Sequence, residues 1–157
     1  MTTEVAGSLL ELLDDAHVPY ELIAHARTET AAAEAEAVGI RPTAVAKTIV
    51  LRTPGGFVRA VLPASRRLDL HELRRLVGSK DVRLASEELL AEEYPEFELG
   101  AVPPVGGAHH DRVLVDRHVL EEESVTIEAG THERSVQMKT ADLLTVTDAE
   151  LGDFADE

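Results

Sequence analysis

The chain has 157 residues and no cysteine, and 44% of its residues are hydrophobic although only 3% are aromatic. That length suits one domain with one sizeable core, and the missing cysteine excludes disulfides, a thiol nucleophile and a cysteine-ligated zinc site. A net charge of −15 makes a surface that as a whole repels nucleic acid, and no apolar run reaches membrane-span length, so the expected location is the cytoplasm.

Residues 5–16 read as a helix with Leu9, Leu10, Leu12, Leu13 and Ala16 as its apolar stripe, stopped by Pro19. The opening "MTTEVAGSLLELLDD" carries acids through its apolar stretch and is unlike a signal peptide. "YELIAH", 20–25, alternates as a short strand. "TETAAAEAEAVG" has strong helix propensity, with Thr28 or Thr30 as N-cap and Gly39 as C-cap. Residues 45–52 and 57–62 form a hairpin around Pro54-Gly55-Gly56. Asp69 caps a helix over 70–77 that Gly78 ends, "DVRLA" is a short strand, and Ser86 caps a helix to about Glu93. "LGAVPPVGG" is a loop, "RVLVD" and "SVTIEA" are strands with a charged turn between them, and "GTH" is a turn. "RSVQMK" is a strand, "TADLL" opens a short helical turn, and the acidic tail 148–157 is expected to fray. Irregular interleaving with recurrent hairpins favours a single α+β domain with a mixed, mainly antiparallel sheet and surrounding helices.

Charge is uneven along this order. Residues 59–83 hold seven bases against three acids, whereas residues 84–157 hold nineteen acids against four bases. Arg66, Arg67, Arg74 and Arg75 therefore read either as a solvated helix face paired to nearby acids or as a small phosphate-binding patch.

Lys47 is one of three lysines among fifteen basic residues and sits inside the apolar run "VAKTIVL". Strand alternation puts it on a face with Val45, Ile49 and Leu51. An unpaired ammonium there costs on the order of several kcal/mol. It is either a snorkelling lysine or a charge held at a pocket.

No P-loop, dinucleotide fingerprint, HExxH or GxSxG motif is present. His109, His110, His118 and His132 invite a metal reading, but their spacing matches no finger, and no metal ligand set or cofactor is expected. The loop 100–107 couples two rigid prolines to flanking glycines, a combination able to hold peptide groups open toward a substrate or simply to connect strands.

In one order, "VPYELIAH", "VAKTIVL", "VLPASRRLDLHELRRLVG", "VRLASEELL", "LGAVPPVGG", "VLVD" and "EAGTHERSVQMKTADLL" resemble the YbaK/EbsC family of aminoacyl-tRNA deacylases, which includes the editing domain associated with prolyl-tRNA synthetase. The resemblance covers about residues 5–147 and is to free-standing members. It implies a curved, mainly antiparallel sheet and hydrolysis of the ester joining a wrong, small amino acid to tRNA. It gives catalytic roles to Lys47, Gly100, Pro104 and His132, and substrate contacts to Tyr20, Pro103, Gly130, Thr131 and Asp142. Lys47 would meet the 3′-terminal adenosine, and water or the free ribose hydroxyl would attack the ester. Backbone groups of 100–104 would polarise the carbonyl, and His132 would hold the loop or order a water. The partners implied are mischarged tRNA and a synthetase, with no membrane and no DNA; Arg66, Arg67, Arg74 and Arg75 would touch tRNA phosphates. Val45 stands where some editing domains carry a polar residue, and Glu128 where some relatives carry serine. Two other classes stand beside the deacylase: a non-catalytic module binding a tRNA end, amino acid or nucleotide, and a metal hydrolase using the histidines.

Overall fold

Short-range signals set most element boundaries in the computed structural model, which describes residues 4–156, with side chains for 9–156. In chain order the elements are α1 (Glu4–Asp15), β1 (Tyr20–Ala24), α2 (Ala31–Val38), β2 (Ala46–Thr53), β3 (Gly56–Pro63), β4 (Arg67–Leu68), α3 (Leu70–Val77), β5 (Arg83–Leu84), α4 (Glu87–Glu93), β6 (Arg112–Asp116), β7 (Ser124–Glu128), β8 (Arg134–Lys139), α5 (Thr140–Thr147), β9 (Glu150–Gly152) and β10 (Ala155–Asp156). Thr30, Asp69 and Ser86 each accept a backbone N–H three residues on, which satisfies a donor that the first helical turn leaves free. Gly39 and Gly78 end α2 and α3 in the left-handed region, where a side chain would be strained.

The strands form a mixed five-stranded sheet in the order β5-β2-β3-β6-β9, an antiparallel three-stranded sheet in the order β1-β8-β7, and a β4–β10 pair. β2 and β3 are the expected hairpin, but β3–β6 and β6–β9 are parallel. An isolated parallel bridge, Val45 to Thr126, joins the two larger sheets. Leu9 and Leu13 of α1 pack with Val61, Val115, Ile127, Val136 and Leu143 between the sheets. A second core lies on the opposite face of the five-stranded sheet, around Leu51, Leu62, Leu73, Leu114 and Phe154. The fold is a mixed α/β fold, and among the described residues no helix is long and apolar enough to cross a membrane.

"RVLVD" and "SVTIEA" are strands with a turn between them, as expected; they lie in different sheets, and the turn is a 3₁₀ turn at Arg117–Glu121. One expectation changes. The acidic tail does not fray over the described residues; Glu157 lies outside them. β9 extends the sheet, Phe154 is only 1% exposed, and the fully buried Asp116 draws the tail in. Asp116 Oδ1 accepts the N–H groups of Phe154 and Ala155, both at 2.9 Å. Its Oδ2 accepts the His118 backbone N–H at 3.0 Å and lies 2.7 Å from Nδ1 of that ring. A buried carboxylate needs such donors, and the two on Oδ1 come from the tail.

Candidate active site

The loop after α4 and the turn before β8 are tied together through His132. Glu98 starts the link: its N–H donates to the Gly130 carbonyl at 2.9 Å, and its Oε1 accepts the His132 backbone N–H at 2.6 Å. The His132 ring is buried, with Nε2 donating to the Leu99 carbonyl at 2.6 Å. A carbonyl can only accept, so this bond places a proton on Nε2. Gly100 follows at φ +81°, and a side chain added there would stand 3.5 Å from the ring's Cε1. Gly130, at φ +93°, makes the matching turn on the other side. Arg27 closes the group by donating to Glu98 at 2.8 Å and to Glu29 at 2.8 Å. The Arg27 bond, followed by the His132 N–H, holds the Glu98 carboxyl below its usual range despite partial burial.

His132 Nδ1 is buried with no hydrogen-bond partner other than what Glu128 can offer, for Glu128 Oε2 lies 3.1 Å away. Burial, then the negative Glu34, Glu98 and Glu29, pushes the Glu128 carboxyl up to about 9. At neutral pH it is therefore protonated, and a carboxyl O–H suits a bare ring nitrogen better than an ion pair would. Glu34, on α2, is fully buried and pushed up to about 7 by desolvation, an effect that its bond from Ser135 only partly offsets. Ser135 donates to Glu34 Oε2 and lies 2.9 Å from Nε2 of His25, whose Nδ1 is 2.7 Å from the Ala26 carbonyl. Serine, histidine and glutamate have the composition of a hydrolytic triad here but not its wiring. The acid bonds the serine rather than the imidazole, and Ser135 is inaccessible. Glu34 Oε1 and Thr126 Oγ1 are also buried without partners among the described residues, so unsatisfied polar atoms gather in this part of the molecule.

Lys47 stands at the start of β2, opposite Leu62 and half-buried. It has no hydrogen-bond or ion-pair partner among the described residues, and burial lowers its pKa from the usual 10.5. The Val45–Thr126 bridge sets this end of β2 beside β7, and two residues further along each strand come Lys47 and Glu128. Strict alternation keeps Lys47 on the face of Ile49 and Leu51, whereas Val50 packs on the other face with Val102 of the loop.

Bonds through Glu98 and Leu99 therefore hold Gly130 and His132 beside Gly100. Thr131 lies in the same turn, its Oγ1 accepting the Glu133 N–H. Pro103 and Pro104 are buried farther along the loop. Tyr20 and Asp142 stand apart. Tyr20 pairs with Met138 at the far end of β1, four residues and roughly 13 Å from the His132 end. Asp142 is in the first turn of α5. Arg67 is exposed on β4 and Arg66 is half-buried before it. Arg75 pairs with Glu72, and Arg74 Nε donates to the Val82 carbonyl. His118 and His132 lie away from the adjacent His109 and His110 in the sequence, and among the described residues no three potential metal ligands cluster. A cavity of about 800 Å³ lies beyond the loop, lined by Pro104, Gly106, His109, His110 and Arg112 among others; Pro104 is the only expected site residue in its wall.

Sequence reading passed over Glu34, although a signal existed. With Ala31, Ala35 and Val38 it falls on the inward stripe of α2, whereas Glu36 does not. His25 and Ser135, 110 residues apart, left no such trace.

Residues 25–146 match the family model described as an aminoacyl-tRNA editing domain. The chain is 30% identical over 168 residues to the multifunctional Ser/Thr-tRNA deacylase ProXp-y of Escherichia coli (strain K12), with 98% of each protein covered. It is 27% identical over 103 residues to the proline–tRNA ligase of Thermosipho africanus, matching 66% of this chain and 18% of that protein. A crystal structure described as a candidate trans-editing enzyme for prolyl tRNA synthetase superposes with a TM-score of 0.87 at 27% identity, covering 98% of both chains. By its motifs, its fold and the span of this match, the chain belongs to the aminoacyl-tRNA editing domain family.

Proposed function

We propose that the protein removes a small amino acid from mischarged tRNA by hydrolysing the ester bond, acting in trans in the cytoplasm beside a synthetase. The observation that carries this reading is Lys47: a half-buried ammonium with no partner in the described residues, on a strand that buries Ala46, Val50 and Leu51. Such a charge gains its partner from a ligand, and ribose or phosphate oxygens of the 3′-terminal adenosine are suited to it. A relative that acts on Ser/Thr-tRNA supports a small substrate side chain.

The loop would supply the electrostatics. Ala101 donates its N–H to the Glu98 carbonyl, and Pro103 and Pro104 have none. Within 100–104 this leaves the N–H groups of Gly100 and Val102 as donors for a developing oxyanion. Removing one such donor costs roughly 2.7–4 kcal/mol in other hydrolases. His132, bound through Nε2 to Leu99, would steady the loop rather than act as a general base through that nitrogen. The attacking oxygen would come from water or the free ribose hydroxyl, and the protonated Glu128 carboxyl is a nearby acid.

A panel of mischarged tRNAs, assayed with the wild type and Lys47→Ala, tests the reading. Deacylation of tRNAs carrying small wrong amino acids, lost in a folded Lys47→Ala, is the expected result. Tight binding without turnover would instead favour the binding-module reading, and full activity in the variant would remove the lysine's role.

A further inference from the structure

Arg59 lies in the middle of β3, opposite Val50 and Val113, and its side chain is 1% exposed. A guanidinium that deep is tolerated only when its donors are used, and here they are. Nε donates to Asp111 Oδ2 at 2.9 Å, Nη1 to the Pro103 carbonyl at 2.9 Å, and Nη2 to the Gly106 carbonyl at 2.8 Å. The His109 carbonyl stands 3.5 Å from Nη2. The Tyr94 hydroxyl donates to the same Asp111 oxygen at 2.5 Å, and the guanidinium carbon lies 5.4 Å from the centre of the Tyr94 ring.

These bonds stand in for secondary structure. The backbone of residues 102–106 makes no hydrogen bond to another backbone group among the described residues. The segment is shaped by two prolines, by the packing of Val102 against Val50, Tyr94 and Phe97, and by this one fork of donors.

We propose that Arg59 is the positioning residue of the Gly100–Pro104 segment, turning the Pro103 and Gly106 carbonyls inward so that the N–H groups of Gly100 and Val102 keep a fixed direction toward the ester. This rests on the deacylase reading, but its geometry does not. Arg59 touches no reacting atom; it acts through the loop. A lysine in its place keeps the charge but offers a single point from which three carbonyls and a carboxylate cannot be held in one plane.

The test compares full-length wild type, Arg59→Lys and Tyr94→Phe. Each is assayed for single-turnover deacylation of a mischarged tRNA, for Kd of the same tRNA with the ester removed, and for amide hydrogen exchange at Ala101 and Ala108, whose N–H groups are hydrogen-bonded within the loop region. Arg59→Lys is expected to lose turnover on the order of 100-fold while the Kd changes by less than about threefold, because misplacement harms the reacting geometry more than ground-state binding. Faster exchange should be confined to the loop, with β3 and β6 still protected. Tyr94→Phe, which removes only a second donor to Asp111, should show the same pattern more weakly; it serves alone if Arg59→Lys does not fold. A folded Arg59→Lys with near-wild-type turnover, or loop exchange unchanged in both variants, overturns the proposal. Wild-type protein that deacylates no tRNA overturns the deacylase reading instead, and loop exchange then decides separately whether Arg59 orders the segment.

Discussion

Glu34→Gln should change how stability depends on pH, not only its size. The Glu34 carboxyl is fully buried; Oε2 takes the Ser135 hydroxyl and Oε1 takes nothing. His25 Nδ1 faces the Ala26 carbonyl and so must donate to it, leaving Ser135 with one proton for both His25 Nε2 and Glu34. Both bonds form only while an extra proton resides on Glu34 or on the imidazole. Burial pushes Glu34 from 4.5 to about 7. Because the folded value is raised, the native state binds more protons than the unfolded chain between pH 4.5 and 7. Stability from this group is therefore complete below about pH 4.5 and is lost as pH rises through 7. The full loss from such a shift is about 3 kcal/mol. Glutamine mimics the protonated acid and does not titrate. The variant should therefore match or fall slightly below the wild type at pH 5 and gain on it by about 2.5 kcal/mol by pH 8. Urea unfolding of both proteins at pH 5, 6, 7 and 8 measures this. Curves that run parallel within about 0.5 kcal/mol, the size of an ordinary surface substitution, would refute the reasoning.

Gly100→Val should harm single-turnover deacylation far more than stability: φ +81° strains a β-branched residue by roughly 1–2 kcal/mol, while the new Cβ meets the His132 ring at an ordinary 3.5 Å. A folded variant with wild-type turnover would show that the loop's peptide groups do not serve the reaction. Charge reversal at Arg66, Arg67 and Arg75 should weaken tRNA binding and reduce its salt slope by about one for each phosphate left without its arginine, leaving hydrolysis of aminoacyl-adenosine unchanged. Arg74 is kept out of that set because it supports the Val82 carbonyl; equal losses on both substrates would assign the arginines to fold or pocket. Phe154→Ala should cost about 3–5 kcal/mol in urea unfolding, since its ring fills the core around Leu62 and Leu73. A change under about 0.5 kcal/mol would mean that the tail is dispensable.

Features carried by neighbouring residues are legible in the sequence without any knowledge of the fold. Thr30, Asp69 and Ser86 cap their helices because each side chain reaches a donor three residues away, and Gly39 and Gly78 end two of them because the local φ alone governs it. The hairpin around Pro54 and Gly55 is equally local. The ordered motifs pointed further, to the family. Features that depend on distant partners were settled by packing. β6 and β7 look alike as short apolar strands, but one pairs in parallel with β3 and the other antiparallel with β8, a choice made by long-range packing. The tail reads as frayed on composition, until Asp116, some forty residues earlier, collects its N–H groups. Glu34 falls on the inward stripe of α2, but only the docking of that helix removes its water, and that desolvation moves the carboxyl into the neutral range. Arg59 lies between apolar neighbours in "FVRAVL", where alternation puts it in the core; only the loop that folds over it supplies the carbonyls that make burial of its charge possible.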